Sequence, residues 1–128
     1  MNPQNSDLPI RQAGKKPLVY SCSGCSNIAQ LANDVAVKMD RDGIAEMYCI
    51  AGVGGNVKPL VKKAQSGRKI IAIDCCALQC VKECLNNVGV EPYVHYVLTD
   101  YGLKKEYHKD YNDECVDEIY ELVTIENL

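Results

Sequence analysis

Apolar and polar positions alternate along the chain in a way that predicts a series of strands and helices. "PLVYS" (17–21) is a short β-rich run. Ser26 or Asn27 can then cap a helix whose apolar residues Ile28, Leu31, Ala32, Val35, Ala36 and Met39 follow the i, i+3, i+4 rule, with Gly43 as its stop. A second strand over about Glu46–Ile50 leads into the glycine-rich turn AGVGGN. After it comes a shorter helix with Val57, Leu60, Val61 and Ala64 inward and Gly67 beyond its end. "KIIAID" (69–74) is apolar on both faces, as a central strand of a covered parallel sheet must be. A cysteine-bearing helix over roughly Ala77–Val88 follows and stops at Gly89. "YVHYVLT" (93–99) is a fourth strand, "DYGLKKEYHKDYN" an irregular charged loop, and Asp113–Ile125 an amphipathic final helix capped by Asn112 or Asp113.

This alternation predicts a single α/β domain over residues 17–128, with about four mostly parallel strands flanked by helices in a three-layer Rossmann or flavodoxin-like arrangement. Residues 1–16 are polar and aperiodic and are expected to form a flexible arm. The 128-residue length suits one domain that buries its own core. A net charge of −3, with lysines scattered among acidic residues, gives no basic stripe for nucleic acid. No run approaches the ~18 apolar residues of a membrane span, and the N-terminal stretch has no apolar signal core, so a soluble cytoplasmic protein is expected.

Eight cysteines alter the picture. In the cytoplasm they would stay reduced, and reduced thiols at close spacing point to metal binding or redox chemistry. The strand ends of a parallel sheet share one edge, where open α/β sheets bind ligands. Cys22 and Cys25 follow the first strand, Cys49 ends the second, and Cys75 and Cys76 follow the third, with Cys80 and Cys84 on the helix after them, so seven of the eight fall on or near that rim.

Cys22-Ser-Gly-Cys25 spans a strand-to-helix turn, where both sulfurs can reach one metal or form one disulfide and a helix N-terminus favours thiolate. On the third helix Leu78, Val81, Leu85 and Val88 form the core stripe, with Cys76, Cys80 and Cys84 in a second stripe beside it. Cys76 and Cys80 can thus share a ligand, while Cys84 lies a turn further from the rim and reads as packing. Cys75 points away from Cys76 if strand geometry persists. Cys115 reads as core, His95 as a sheet residue and His108 as a loop residue. Asp74 reads as a helix cap. AGVGGNVK lacks the Lys-Ser/Thr of a P-loop and the third glycine of a dinucleotide fingerprint, and reads as a tight turn. Ser21, Ser23 and Ser26 read as turn and cap residues.

YSCSGCSN (20–27), MYCIAGVGG (47–55), GRKIIAIDCCALQCVKECL (67–85) and LTDYGLKK (98–105) resemble, in order, the DGC-domain proteins, small proteins held to bind zinc. The resemblance implies four chelating cysteines, Cys22, Cys49, Cys76 and Cys80. It matches Cys25 and Cys84 to positions that are cysteine only in some members. The family's name-giving glycine is Cys75 here, and its usual following proline is Ala77. It carries no established activity.

The leading expectation is one Zn²⁺ bound through Cys22, Cys49, Cys76 and Cys80, with Cys25, Cys75 and Cys84 as secondary candidates. The second is a thiol–disulfide oxidoreductase or redox sensor with Cys22 attacking and Cys25 resolving. The third is an iron–sulfur cluster on the same thiolates. Whether the protein is an enzyme is left open, and the metal ion is the one partner expected.

Overall fold

A computed structural model describes residues 15–127. The arm predicted over 1–16 lies outside the described residues except for its last two. The fold is α/β, as expected, around a four-stranded parallel sheet of order β2-β1-β3-β4. Strand β1 (Leu18–Ser21) pairs with β2 (Glu46–Met47) on one side and β3 (Ile70–Asp74) on the other, and β3 pairs with β4 (Val94–Val97). Every residue of β1 and β3 is buried, as central strands covered on both faces must be.

The topology dictates the layers. From β1 the chain crosses outward to β2 through helix α1 (Asn27–Arg41), then back past β1 to β3 through α2 (Ile50–Gly54) and α3 (Lys58–Ala64). Right-handed crossovers running in opposite directions place their helices on opposite faces. Helix α4 (Cys80–Asn87) joins β3 to β4 and packs with α2, while the C-terminal α5 (Asp113–Glu126) packs on α1. The reversal between β1 and β3 is a topological switch point, and the crevice beyond it is where such sheets bind ligands.

Helix α1 follows its expected pattern. Ser26 caps it, its hydroxyl accepting from the Ala29 amide at 3.1 Å, and Ile28, Leu31, Ala32, Val35, Ala36 and Met39 are all buried. Asn112 caps α5 in the same way, accepting from the Glu114 amide at 2.8 Å.

Several expectations are corrected. The second strand is only two residues long, because β2 is an edge strand that finds ladder partners only at Leu18 and Val19. The AGVGGN stretch is not a turn, for its first part is helix α2, capped by the backbone at Cys49. Its glycines serve close packing: a Cβ on Gly52 would lie 2.0 Å from Leu60 Cδ1, and one on Gly54 would lie 2.9 Å from Cys84 Sγ. In α3 only Ala64 is fully buried, and Val57, at the cap, is exposed.

One further correction matters most for chemistry. Helix α4 begins at Cys80, three residues later than its pattern suggests, because Gln79 sits in the left-handed region at φ 55°. Leu78 is consequently 70% exposed instead of forming part of the core stripe. Cys76 lies in the connection before the helix, so the predicted stripe of three cysteines reduces to Cys80 and Cys84. The fourth strand likewise ends at Val97, and a 3₁₀ turn over Leu98–Tyr101 takes up its last predicted residues. No helix among the described residues is long and apolar enough to cross a membrane.

Candidate functional site

The carboxyl edge of the sheet carries a thiol-lined cleft built from three connections. The first is the β1–α1 turn. The Cys22 amide donates to Ile73 O at 3.0 Å, extending the β1–β3 ladder by one residue and burying the Cys22 side chain at the switch point. Cys25, three residues on, is exposed where the chain turns into α1.

The second is the β3–α4 connection, which Asp74 organises. Its carboxylate, 1% exposed, accepts from the Val81 amide at 2.8 Å and the Lys82 amide at 3.2 Å, and it bonds His95 Nε2 at 2.8 Å. An anion at the first turn of α4 satisfies donors that have no partner within the helix and opposes the positive end of its dipole. The expected capping role of Asp74 is thus observed, exerted from the preceding strand, and His95 is a sheet residue with a specific partner. This clamp sets where α4 begins and therefore where Cys80 and Cys84 project. Cys75 and Cys76 occupy the connection itself.

The third is the segment after the 3₁₀ turn. Asn27 ties it down: its amide donates to Glu106 O at 3.0 Å, its side-chain Nδ2 to Lys104 O at 3.1 Å, and its Oδ1 accepts from the Glu106 amide at 2.7 Å. Lys105 is thereby held against the cleft, with Nζ 3.5 Å from Cys76 Sγ and 5.2 Å from the centre of the Tyr107 ring. Hydrogen bonding to Tyr107 and then to Cys76 raises the Lys105 pKa further above the ordinary lysine value. The residue sits inside the LTDYGLKK motif, so a signal for it was present, but only the fold shows which of the two adjacent lysines faces a thiol.

Together these elements enclose an open cavity of about 480 Å³ whose wall includes Cys22, Cys25, Cys80, Cys84, Lys105 and Tyr107. Cys75 is buried behind it. The Cys75 amide donates to Cys22 Sγ at 3.2 Å. Hydrogen bonding with the Cys22 thiol, reinforced by Cys76, Lys105 and Ser26 against the cost of burial, lowers Cys75 to about 6. The same interaction, followed by burial, pushes Cys22 up. The two thiols thus titrate as a coupled pair, in which a single negative charge is favoured over two. Both sulfurs of this pair are buried, whereas Cys25 is exposed on the cleft wall. Burial and the nearby negative charges of Asp74, Cys75 and Cys76 raise Cys80, and burial with Cys80 raises Cys84.

Cys49 stands apart. It is exposed at the cap of α2 and lines a second cavity of about 420 Å³, separated from the thiol cleft by a shared wall of Ser23, Ile50 and Ala51. Cys115, on α5, is half-buried against the core, as expected, and His108 lies in a loop at φ 62°. Among the described residues no three His, Cys, Asp or Glu side chains are arranged to hold a metal ion. The thiols on this rim match zinc in donor chemistry, but their present geometry is not a closed coordination sphere.

The DGC domain family matches residues 18–123, and the chain belongs to that family. It is similar to the anaerobic and virulence modulator AnvM of Pseudomonas aeruginosa, with 60% identity over 94 residues, covering 73% of this chain and 72% of AnvM. No solved structure matches.

Proposed function

We propose that this DGC-domain protein is a thiolate metal-binding regulator that takes Zn²⁺ at the carboxyl edge of its sheet through Cys22, Cys76 and Cys80, with Cys49 joining as the fourth ligand when the start of α2 shifts across the wall of Ser23, Ile50 and Ala51. Cys25, Cys75 and Cys84 are secondary donors. The observation that carries this reading is the thiol-lined cleft, to which connections far apart in sequence deliver cysteines at the switch point of the sheet. Zinc, when bound, would keep its ligand thiols deprotonated and cross-link the connections that carry them. The rest of the site prepares for it. Asp74 fixes the start of α4 and so the position of Cys80. The Cys75 amide orients the sulfur of Cys22. The Lys105 ammonium supplies a positive charge beside Cys76, offsetting the negative charge that a set of thiolates gathers. The name of the relative supports a modulating rather than a catalytic role, and thiol ligation is a natural device for a modulator of anaerobic behaviour because thiolates are lost to oxidation.

A second reading is favoured by one contact, the hydrogen-bonded Cys22–Cys75 pair: a thiol–disulfide switch between these two residues in place of Cys22 and Cys25. Elemental analysis and an absorption spectrum of anaerobically purified protein separate the readings. Near-stoichiometric zinc without visible absorption, reduced by Cys76→Ser and by Cys80→Ser, is expected. A broad band near ~400 nm would instead indicate an iron–sulfur cluster. Metal-free protein that forms a Cys22–Cys75 disulfide on mild oxidation would replace the zinc reading with the switch.

A further inference from the structure

The second cavity, between α1 and the β2–α2 junction, has a composition of its own. Cys49 is the only cysteine on its wall, and it is exposed. Ser21 also lines it and is 2% exposed, yet its hydroxyl has no hydrogen-bond partner among the described residues. A buried hydroxyl left unpaired is costly, and an occupant able to meet it would recover that cost.

Charge at the cavity is just as specific. Asp40 is already committed, accepting from the Met47 amide at 2.9 Å and from Arg41 Nη1 at 2.7 Å. Arg41 uses one nitrogen in that pair and is otherwise turned to solvent, so most of its five donors remain for an incoming carboxylate. Asn33 adds a carboxamide, and Val37, Met47 and Ile50 an apolar side. At about 420 Å³ the cavity lies in the size range of small-molecule sites.

We infer that this cavity admits the disulfide of a small carboxylate-bearing thiol and that Cys49 is a site of S-thiolation. The thiolate sulfur of Cys49 attacks the nearer sulfur of the disulfide RS–SR. The RS–SR bond breaks, the Cys49–S–SR bond forms, and RS⁻ leaves to take up the proton that Cys49 released. Cys49 is oxidised by one electron equivalent and the departing half of the disulfide is reduced by one. Arg41 holds the carboxylate of the retained half, with Ser21 and Asn33 hydrogen-bonding to its polar atoms. The inference extends the proposed function, since a thiolated Cys49 can no longer ligate a metal. Thiolation is read by mass and metal by elemental analysis, so each reading can fail without the other.

The test exposes reduced full-length protein to limiting cystine or, in parallel, to neutral bis(2-hydroxyethyl) disulfide, followed by intact mass and peptide mapping. The first cystine adduct is expected on Cys49, and Cys49→Ser should lack it. Arg41→Ala should lower the cystine rate about two- to fivefold, the effect of one exposed ion pair, while leaving the neutral disulfide unchanged. An adduct appearing first on Cys25 or Cys80, which are also exposed, would overturn the inference. So would the absence of any adduct, or a cystine-to-neutral rate ratio indifferent to Arg41→Ala.

Discussion

Replacing Asp74 tests whether one carboxylate sets the geometry of the β3–α4 connection. Asp74→Ala removes an acceptor from two helix amides at 2.8 and 3.2 Å and from His95 Nε2 at 2.8 Å, in a position 1% exposed. Loss of a helix cap costs about 1 kcal/mol, and a buried hydrogen bond to a charged group about 1.5–3 kcal/mol. These overlap in the Val81 and Lys82 bonds, so a total of about 3 kcal/mol is expected. With a urea m-value of roughly 1–3 kcal/mol/M for a domain of this size, the unfolding midpoint should fall by about 1–3 M. Asp74→Asn keeps one acceptor but turns a donor toward a neighbouring donor, and should recover less than half of the loss. A cycle with His95→Ala should show coupling of about 1 kcal/mol, since the two side chains share one bond. Urea titration followed by far-ultraviolet circular dichroism reads all four species. An Asp74→Ala variant within 0.5 kcal/mol of the parent would refute the claim that this carboxylate holds the start of α4.

Three further outcomes follow from contacts described above. Gly54→Ala places a Cβ 2.9 Å from Cys84 Sγ and should destabilise by about 1–2 kcal/mol, with the added Cys84→Ala change restoring most of it in a thermal melt. The Cys22–Cys75 pair predicts a pH signature. With Cys75 lowered to about 6 from an ordinary 9.0 and Cys22 raised, the pair's contribution should grow as pH rises from 6 to 9, where only the unfolded chain still binds that proton. It should fall above pH 9, where the unfolded chain has lost both thiol protons and the folded one keeps that of Cys22. Cys22→Ala, compared by urea titration across this range under reducing conditions, should flatten both limbs, and an unchanged profile counts against the coupling. Finally, Asn27→Ala should release the segment carrying Lys105, giving faster hydrogen exchange at the Glu106 amide and a loss of about 2 kcal/mol, because the side chain bridges Lys104 and Glu106. An unaltered Glu106 amide would show that the segment is held by other contacts.

Much of the fold is legible in the sequence wherever local pattern and tertiary environment agree. Ser26 and the stripe from Ile28 to Met39 predict α1 because capping and burial both act on consecutive residues. KIIAID reads as a central strand because it is covered on both faces. The failures lie where a distant partner overrides local pattern. Glycines in AGVGG read as a turn, but their task is to let α2 approach Leu60 and Cys84. Leu78 fits a helical core stripe by spacing, yet Asp74, from the preceding strand, starts α4 after it. The rim placement of the cysteines is legible because strand ends of a parallel sheet must converge. The separation of Cys49 from the thiol cleft is not, since it depends on the path of Ser23, Ile50 and Ala51. The coupling of Cys22 to Cys75 is equally hidden, because it joins residues 53 positions apart in the chain.

That same separation has a consequence for the unfolded chain. Any bond joining Cys22 to Cys75, whether a disulfide or a shared ion, would close a loop of 53 residues. Closing a loop of that size removes conformational freedom from the denatured ensemble worth about 4 kcal/mol in the chain-entropy picture. For a domain whose whole stability is of the order of 5–15 kcal/mol, this is a large share. The chemical state of the cleft would therefore shift the folding equilibrium of the entire domain as well as the reactivity of its thiols.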